Sequence, residues 1–152
     1  MVYKAIVRAV LLYGAETWKQ TKIEKEKLEA FQNKCLRFIF KIFWPYTISN
    51  RNLLEKAKIK TIEEEIRKRR WSWLGHILRM PKEKITSVAL TWAPDGKRTR
   101  GRPRLTIQRM FLAELKENVI SGWEEARSIA KDRSRWRNML EALSAQGHTE
   151  DK

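Results

Sequence analysis

Apolar residues in this chain recur at steps of three and four between short polar or proline-bearing breaks, and that periodicity predicts helices. Ile6, Val7, Val10 and Leu11 sit among Lys4 and Arg8 in a first run that Gly14 ends. Thr21-Lys22-Ile23-Glu24 has capping-box form. It opens a helix with Leu28, Phe31, Cys35, Phe38 and Ile42 on one expected buried face, widened by Leu36, Ile39 and Phe43. Trp44-Pro45 is expected to stop it, because proline lacks the amide and restricts its neighbour. Ser49 then caps a short helix through Leu53, Leu54 and Ala57.

Thr61-Ile62-Glu63-Glu64 is a second capping box. The helix it opens places Ile62, Ile66, Trp73, Ile77 and Met80 on one face. Trp71 falls on another, beside Arg67, Lys68 and Arg70, where it could stack on a base or pack on a helix. Residues 85–93 hold β-branched side chains, but a lone strand is unstable, so a short helix or irregular chain is expected. Helical spacing resumes from Leu105 to Val119, and Ser121-Gly122-Trp123-Glu124 is a third capping box. Behind it Trp123, Ala126, Ala130, Trp136, Leu140 and Leu143 align, with a joint near Asp132. The expectation is an all-α protein. A helical bundle occupies residues 1–94, an extended basic connector 95–104, a C-terminal helical hairpin 105–144 and a disordered tail 145–152. Met1 opens directly into a packed run, and the expectation from this is a fragment or a truncated reading frame.

Charge changes this picture more than composition does. The 152 residues carry 33 Lys and Arg against 18 Asp and Glu, a formal net charge of +15. A field of that sign attracts phosphate. The excess peaks at Gly96-Lys97-Arg98-Thr99-Arg100-Gly101-Arg102-Pro103-Arg104, where five of nine residues are cationic and none is anionic. No side chain there can build a core, and Pro103 favours extended backbone. Lys97, Arg98, Arg100, Arg102 and Arg104 are therefore the expected phosphate contacts, supported by Arg67, Lys68, Arg69 and Arg70. Arg100 to Arg104 also resembles the AT-hook core, which lies in the minor groove of A·T tracts.

Other chemistry is not foreseen. Asp95, Asp132 and Asp151 are the only aspartates and stand far apart, whereas a two-metal polymerase or nuclease site needs converging carboxylates. One cysteine, Cys35, and two histidines cannot supply usual zinc spacing. Cys35 is expected as a buried thiol and His76 as a packed or capping histidine. No Walker-type loop occurs. The longest uncharged stretch, Ile85 to Pro94, is ten residues, and a bilayer span needs about 20. No catalytic residue, metal, cofactor or membrane partner is expected.

Three stretches in order carry a resemblance: Leu11-Leu12-Tyr13-Gly14-Ala15-Glu16-Thr17-Trp18, then Trp73-Leu74-Gly75-His76-Ile77-Leu78-Arg79-Met80, then Gly96 to Arg104. Trp123, Asp132-Arg133 and Trp136-Arg137 complete the pattern. Together, from about Tyr3 to Leu140, they resemble the C-terminal part of non-LTR (LINE-type) retrotransposon polyproteins, behind the reverse transcriptase palm. The resemblance implies a thumb-like helical region that grips template RNA or the primer–template duplex. It implies RNA or DNA as partner through phosphates, an upstream palm domain as a second partner, and an intracellular, nuclear setting. The polymerase aspartates of such proteins lie upstream, so this chain alone is expected to be no enzyme. Two other readings remain at this level: a host chromatin-type DNA binder using the AT-hook-like core, and a helical protein-interaction module.

Overall fold

The computed structural model describes residues 2–18, 21–92, 106–117 and 120–146, and the fold is all-α, with no strand among the described residues. Packing divides the chain into two units, one running to Arg70 together with the segment from Ser144, the other Trp71–Leu143.

Unit 1 begins with a π-helical turn, Tyr3–Val7, continued by helix α1 (Arg8–Leu11). Gly14 then takes the left-handed conformation at φ 68°, which an L side chain rarely adopts, and a 3-10 turn follows at Ala15–Thr17. Helix α2 (Lys22–Ile39) opens on the expected capping box. The Glu24 N–H donates to Thr21 Oγ1 at 3.3 Å, and the Thr21 N–H donates to Glu24 Oε2 at 2.8 Å. Helix α3 (Asn50–Ala57) is capped by Ser49, whose Oγ accepts from the Asn52 N–H at 3.2 Å. Helix α4 (Ile62–Leu78) starts at Thr61, whose Oγ1 accepts from the Glu64 N–H at 3.2 Å.

Two small apolar clusters support this unit. Tyr3, Leu36, Leu53 and Ile59 form one, and Leu12, Ala15, Ile62 and Ile66 form the other. The face of α2 differs from the expected one. Gln32, Asn33 and Leu36 are buried, Leu28, Cys35 and Ile42 are half-buried, and Phe31, Phe38, Ile39 and Phe43 are exposed. Apolar residues on α2 are spread over more than one face, so periodicity alone leaves its rotation open. Polar anchors set it: Gln32 Nε2 donates to the Lys60 carbonyl at 3.4 Å, and Lys25 pairs with Glu63.

The end of α2 also differs. The helix stops at Ile39, ahead of Trp44-Pro45. Lys41 adopts φ 54°; its N–H donates to the Phe38 carbonyl, and the Ile42 N–H donates to the Arg37 carbonyl at 2.9 Å. This is a Schellman closure with lysine in the left-handed position usually held by glycine. Lys58, at φ 52°, ends α3 the same way, through Lys58 to Glu55 and Ile59 to Leu54.

Unit 2 is built from the second half of α4, α5 (Ile85–Thr91), α6 (Ile107–Glu117), α7 (Trp123–Lys131) and, as far as Leu143, α8 (Arg133–Gln146). Residues 71–92, grouped with the N-terminal bundle on periodicity, share one core with these later helices. Trp71, Leu74, Ile77, Leu78 and Leu90 pack with Phe111, Leu115, Ala126, Ala130, Trp136 and Leu140. The Trp71 and Trp136 rings lie 5.7 Å apart. Trp71 Nε1 donates to Glu114 Oε2 at 2.7 Å, and Trp136 Nε1 donates to the Trp71 carbonyl at 3.1 Å. Gly75 admits this approach, because a Cβ there would run into the Trp136 indole.

Helix starts and ends in unit 2 refine the expected pattern. Gly122 occupies the N-cap of α7, and both the backbone N–H and the hydroxyl of Ser121 donate to Glu125, not Glu124. Those bonds hold the Glu125 carboxyl below the usual range, and the Lys82 ammonium does the same for Glu124. Asp132 breaks α7 from α8 as expected, its Oδ1 accepting from the Ser134 and Arg135 N–H groups. Helix α8 continues to Gln146, past the expected end at 144. The carbonyls of Leu78 and Met80, left without helical partners where α4 stops, accept from Arg127 Nη1 at 3.1 Å each.

Candidate nucleic-acid interface

Of the expected phosphate contacts, Lys97, Arg98, Arg100, Arg102 and Arg104 lie outside the described residues. The supporting set on α4 is described, and its members differ. Arg70 is buried, and its Nη2 donates to the Trp18 carbonyl at 2.7 Å. Arg69 donates to the Leu12 carbonyl at 2.9 Å and pairs with Glu65 at 3.2 Å. Arg67 lies 3.8 Å from Glu63, and Lys68 is exposed. Arg69 and Arg70 therefore tie residues 12–18 to α4. Of the four, Lys68 is the one exposed cation.

Arg8 belongs with these fasteners. It is buried, and its Nη2 donates to the Lys60 and Thr61 carbonyls at 2.9 and 3.1 Å, with Glu65 at 3.9 Å. Burial lowers its pKa against the pull of Glu65, and burial raises that of Tyr3 nearby. Arg79 in unit 2 is lowered by burial and by Arg133, and it donates to the Ala130 carbonyl at 3.2 Å. Trp71, a candidate stacking surface, is 1% exposed and lies wholly within the unit 2 core. His76, expected to be packed or capping, is exposed, and Cys35 is half-buried.

The structure brings forward a surface that periodicity assigned to the core. Lys27, Phe31, Lys34 and Phe38 are all exposed, at steps of four, three and four along α2. At about 100° per residue they fall on one line, opposite buried Gln32, Asn33 and Leu36. Exposed Lys41 follows where the helix closes. Phe31 is 43% exposed and Phe38 72%, and beyond them stand Phe43 at 55%, Trp44 at 90% and Tyr46 at 80%. Phe38 and Phe43 meet edge to face, with centroids 6.2 Å apart. Arg37 pins the loop that carries them, its Nη2 donating to the Ile48 carbonyl at 3.3 Å and to Asn50 Oδ1 at 2.6 Å. Between Glu29 and Glu55 the sequence has no acidic residue, while it has Lys34, Arg37, Lys41 and Arg51 and six aromatic residues. That acid-free interval was the available sequence signal.

Among the described residues no three His, Cys, Asp or Glu side chains come together as a metal site, and no helix is long and apolar enough to cross a membrane. The chain is similar to an uncharacterised transposon-derived protein of Caenorhabditis elegans, 25% identical over 147 residues, covering 89% of this chain and 51% of that protein. It thus spans about half the length of this curated relative. No protein-family model matches the chain, and no solved structure matches it.

Proposed function

We propose that this chain is a nucleic-acid-holding, non-catalytic part of a retrotransposon-derived reverse transcriptase, acting in the nucleus on template RNA or a primer–template duplex. The observation that carries this reading is the charge: +15 overall, with five cations and no acid across Gly96–Arg104. The transposon-derived relative, about twice as long, supports its origin in a mobile element. Lys97, Arg98, Arg100, Arg102 and Arg104 meet phosphates in this account, with exposed Lys68 as a further contact. Arg69 and Arg70 hold the scaffold.

Neutralising five phosphates gives a log–log salt slope of about −3.5 on a single strand to −4.5 on a duplex. Replacing all five connector cations with alanine is expected to flatten the slope and weaken binding at low salt by tenfold or more, read by fluorescence anisotropy over a salt series. Unchanged low-salt affinity refutes the reading. A marked preference for A·T-rich over G·C-rich duplex would instead support the chromatin-type alternative.

A further inference from the structure

We infer that the outward line of α2, Lys27-Phe31-Lys34-Phe38, together with Lys41 and Trp44, is a binding track for an unpaired nucleic-acid strand. The inference deepens the proposed function and rests on it: it adds a second contact surface and states which form of nucleic acid that surface takes.

A face that alternates exposed cations with exposed aromatic rings suits a strand whose phosphates and bases both need partners. Lysine ammonium groups neutralise the phosphates, and the rings stack on base faces, which every base presents. Paired bases are already stacked and offer no free faces, so a duplex gains only the electrostatic part. Phe31 and Phe38 stand about 10 Å apart along the helix axis, with Lys34 between them. Among the described residues Lys27, Lys34 and Lys41 make no ion pair, so their charges are available to a ligand. The track is held rather than loose. Its opposite face is buried, the capping box fixes its start, and Arg37 clamps the loop behind it.

The pattern disfavours the other occupants of such a face. A helix lying on a membrane segregates its apolar side from its cationic side. Here Phe31 and Phe38 share one line with Lys27 and Lys34, and the far side is committed to the unit 1 interior. The lack of acidic residues between Glu29 and Glu55 also disfavours a second copy of this chain, whose same face would repel it.

The test compares the full chain with the Phe31→Ser/Phe38→Ser double variant, the Trp44→Ala variant and the five-alanine connector variant. Probes are labelled 15-mer oligo-dT, 15-mer oligo-U and a 15-base-pair duplex. One stacked base is worth about 5- to 150-fold in affinity. The double variant should therefore lose tenfold or more for either single strand while staying within threefold of wild type on duplex. Trp44→Ala should show the same selectivity with a smaller loss. Both phenylalanines are exposed, so the circular dichroism spectrum and melting temperature should match wild type. Single-strand affinity that is unchanged in the double variant but weakened in the connector variant overturns the track and leaves the proposed function standing. No binding of wild type to any probe overturns both. Phenylalanine-dependent binding to anionic vesicles, or phenylalanine-dependent self-association in sedimentation, without single-strand selectivity overturns the track in favour of a membrane or protein surface.

Discussion

In unit 2, Trp71 and Trp136 sit ring against ring, each indole N–H has an acceptor, and Trp73 packs on Phe111 at the margin of the same core. In unit 1, Phe38, Trp44 and Tyr46 stand in solvent, while the interior holds aliphatic side chains with Tyr3, Arg8, Gln32 and Asn33. One large apolar core carries unit 2. Unit 1 has two small clusters stitched by arginine-to-carbonyl bonds from Arg8, Arg69 and Arg70. Aromatic residues drawn inward stabilise a unit. Left outside on a fastened scaffold, they form a surface at little structural cost, since their removal empties no core.

That contrast can be broken most sharply at two tryptophans. Trp136→Ala should destabilise unit 2 by about 3–5 kcal/mol, because it opens a large cavity and removes the indole bond to the Trp71 carbonyl. Trp44→Ala, at a residue 90% exposed, should stay within about 0.5 kcal/mol. Chemical denaturation of the two variants measures both values, and similar losses would erase the distinction. Next comes Arg8→Met, which keeps the apolar stem but leaves the Lys60 and Thr61 carbonyls without this donor. A loss of about 1–3 kcal/mol is expected, read as earlier amide exchange at the start of α4. A neutral effect would show that arginine bonds do not hold unit 1. The smallest effect has the opposite sign. Lys58→Gly relieves a left-handed lysine at the end of α3 and should stabilise by about 0.5–1 kcal/mol after glycine's greater unfolded-state entropy is counted, read as a higher melting temperature.

Helix positions were legible wherever a local signal decided them. Thr21 with Glu24, Ser49, Thr61 with Glu64, and Asp132 mark helix starts or breaks through side chains within a few residues of the backbone groups they bind. Rotation and partnership were not legible, because distant residues set them. Gln32 meets Lys60, and the second half of α4 finds its core with Phe111 and Trp136. The same limit applied to the charge run on α4. Arg67 to Arg70 look alike in sequence, and only the carbonyls of Leu12 and Trp18 separate the fasteners from exposed Lys68. Phe31 and Phe38 fit a buried stripe by spacing, yet their neighbours Lys27 and Lys34 share their side of the helix. Reading those lysines as part of the stripe would have turned it outward.

The bond from Trp136 to Trp71 spans 65 positions of the chain. During synthesis at about 5–20 residues per second, that separation corresponds to roughly 3–13 s between the two tryptophans leaving the ribosome. Through that interval Trp71, Leu74, Ile77 and Leu78 have no Trp136 to cover them. The unit 2 core thus depends on timely completion, and products halted before Trp136 carry an open apolar helix face suited to chaperone capture or aggregation.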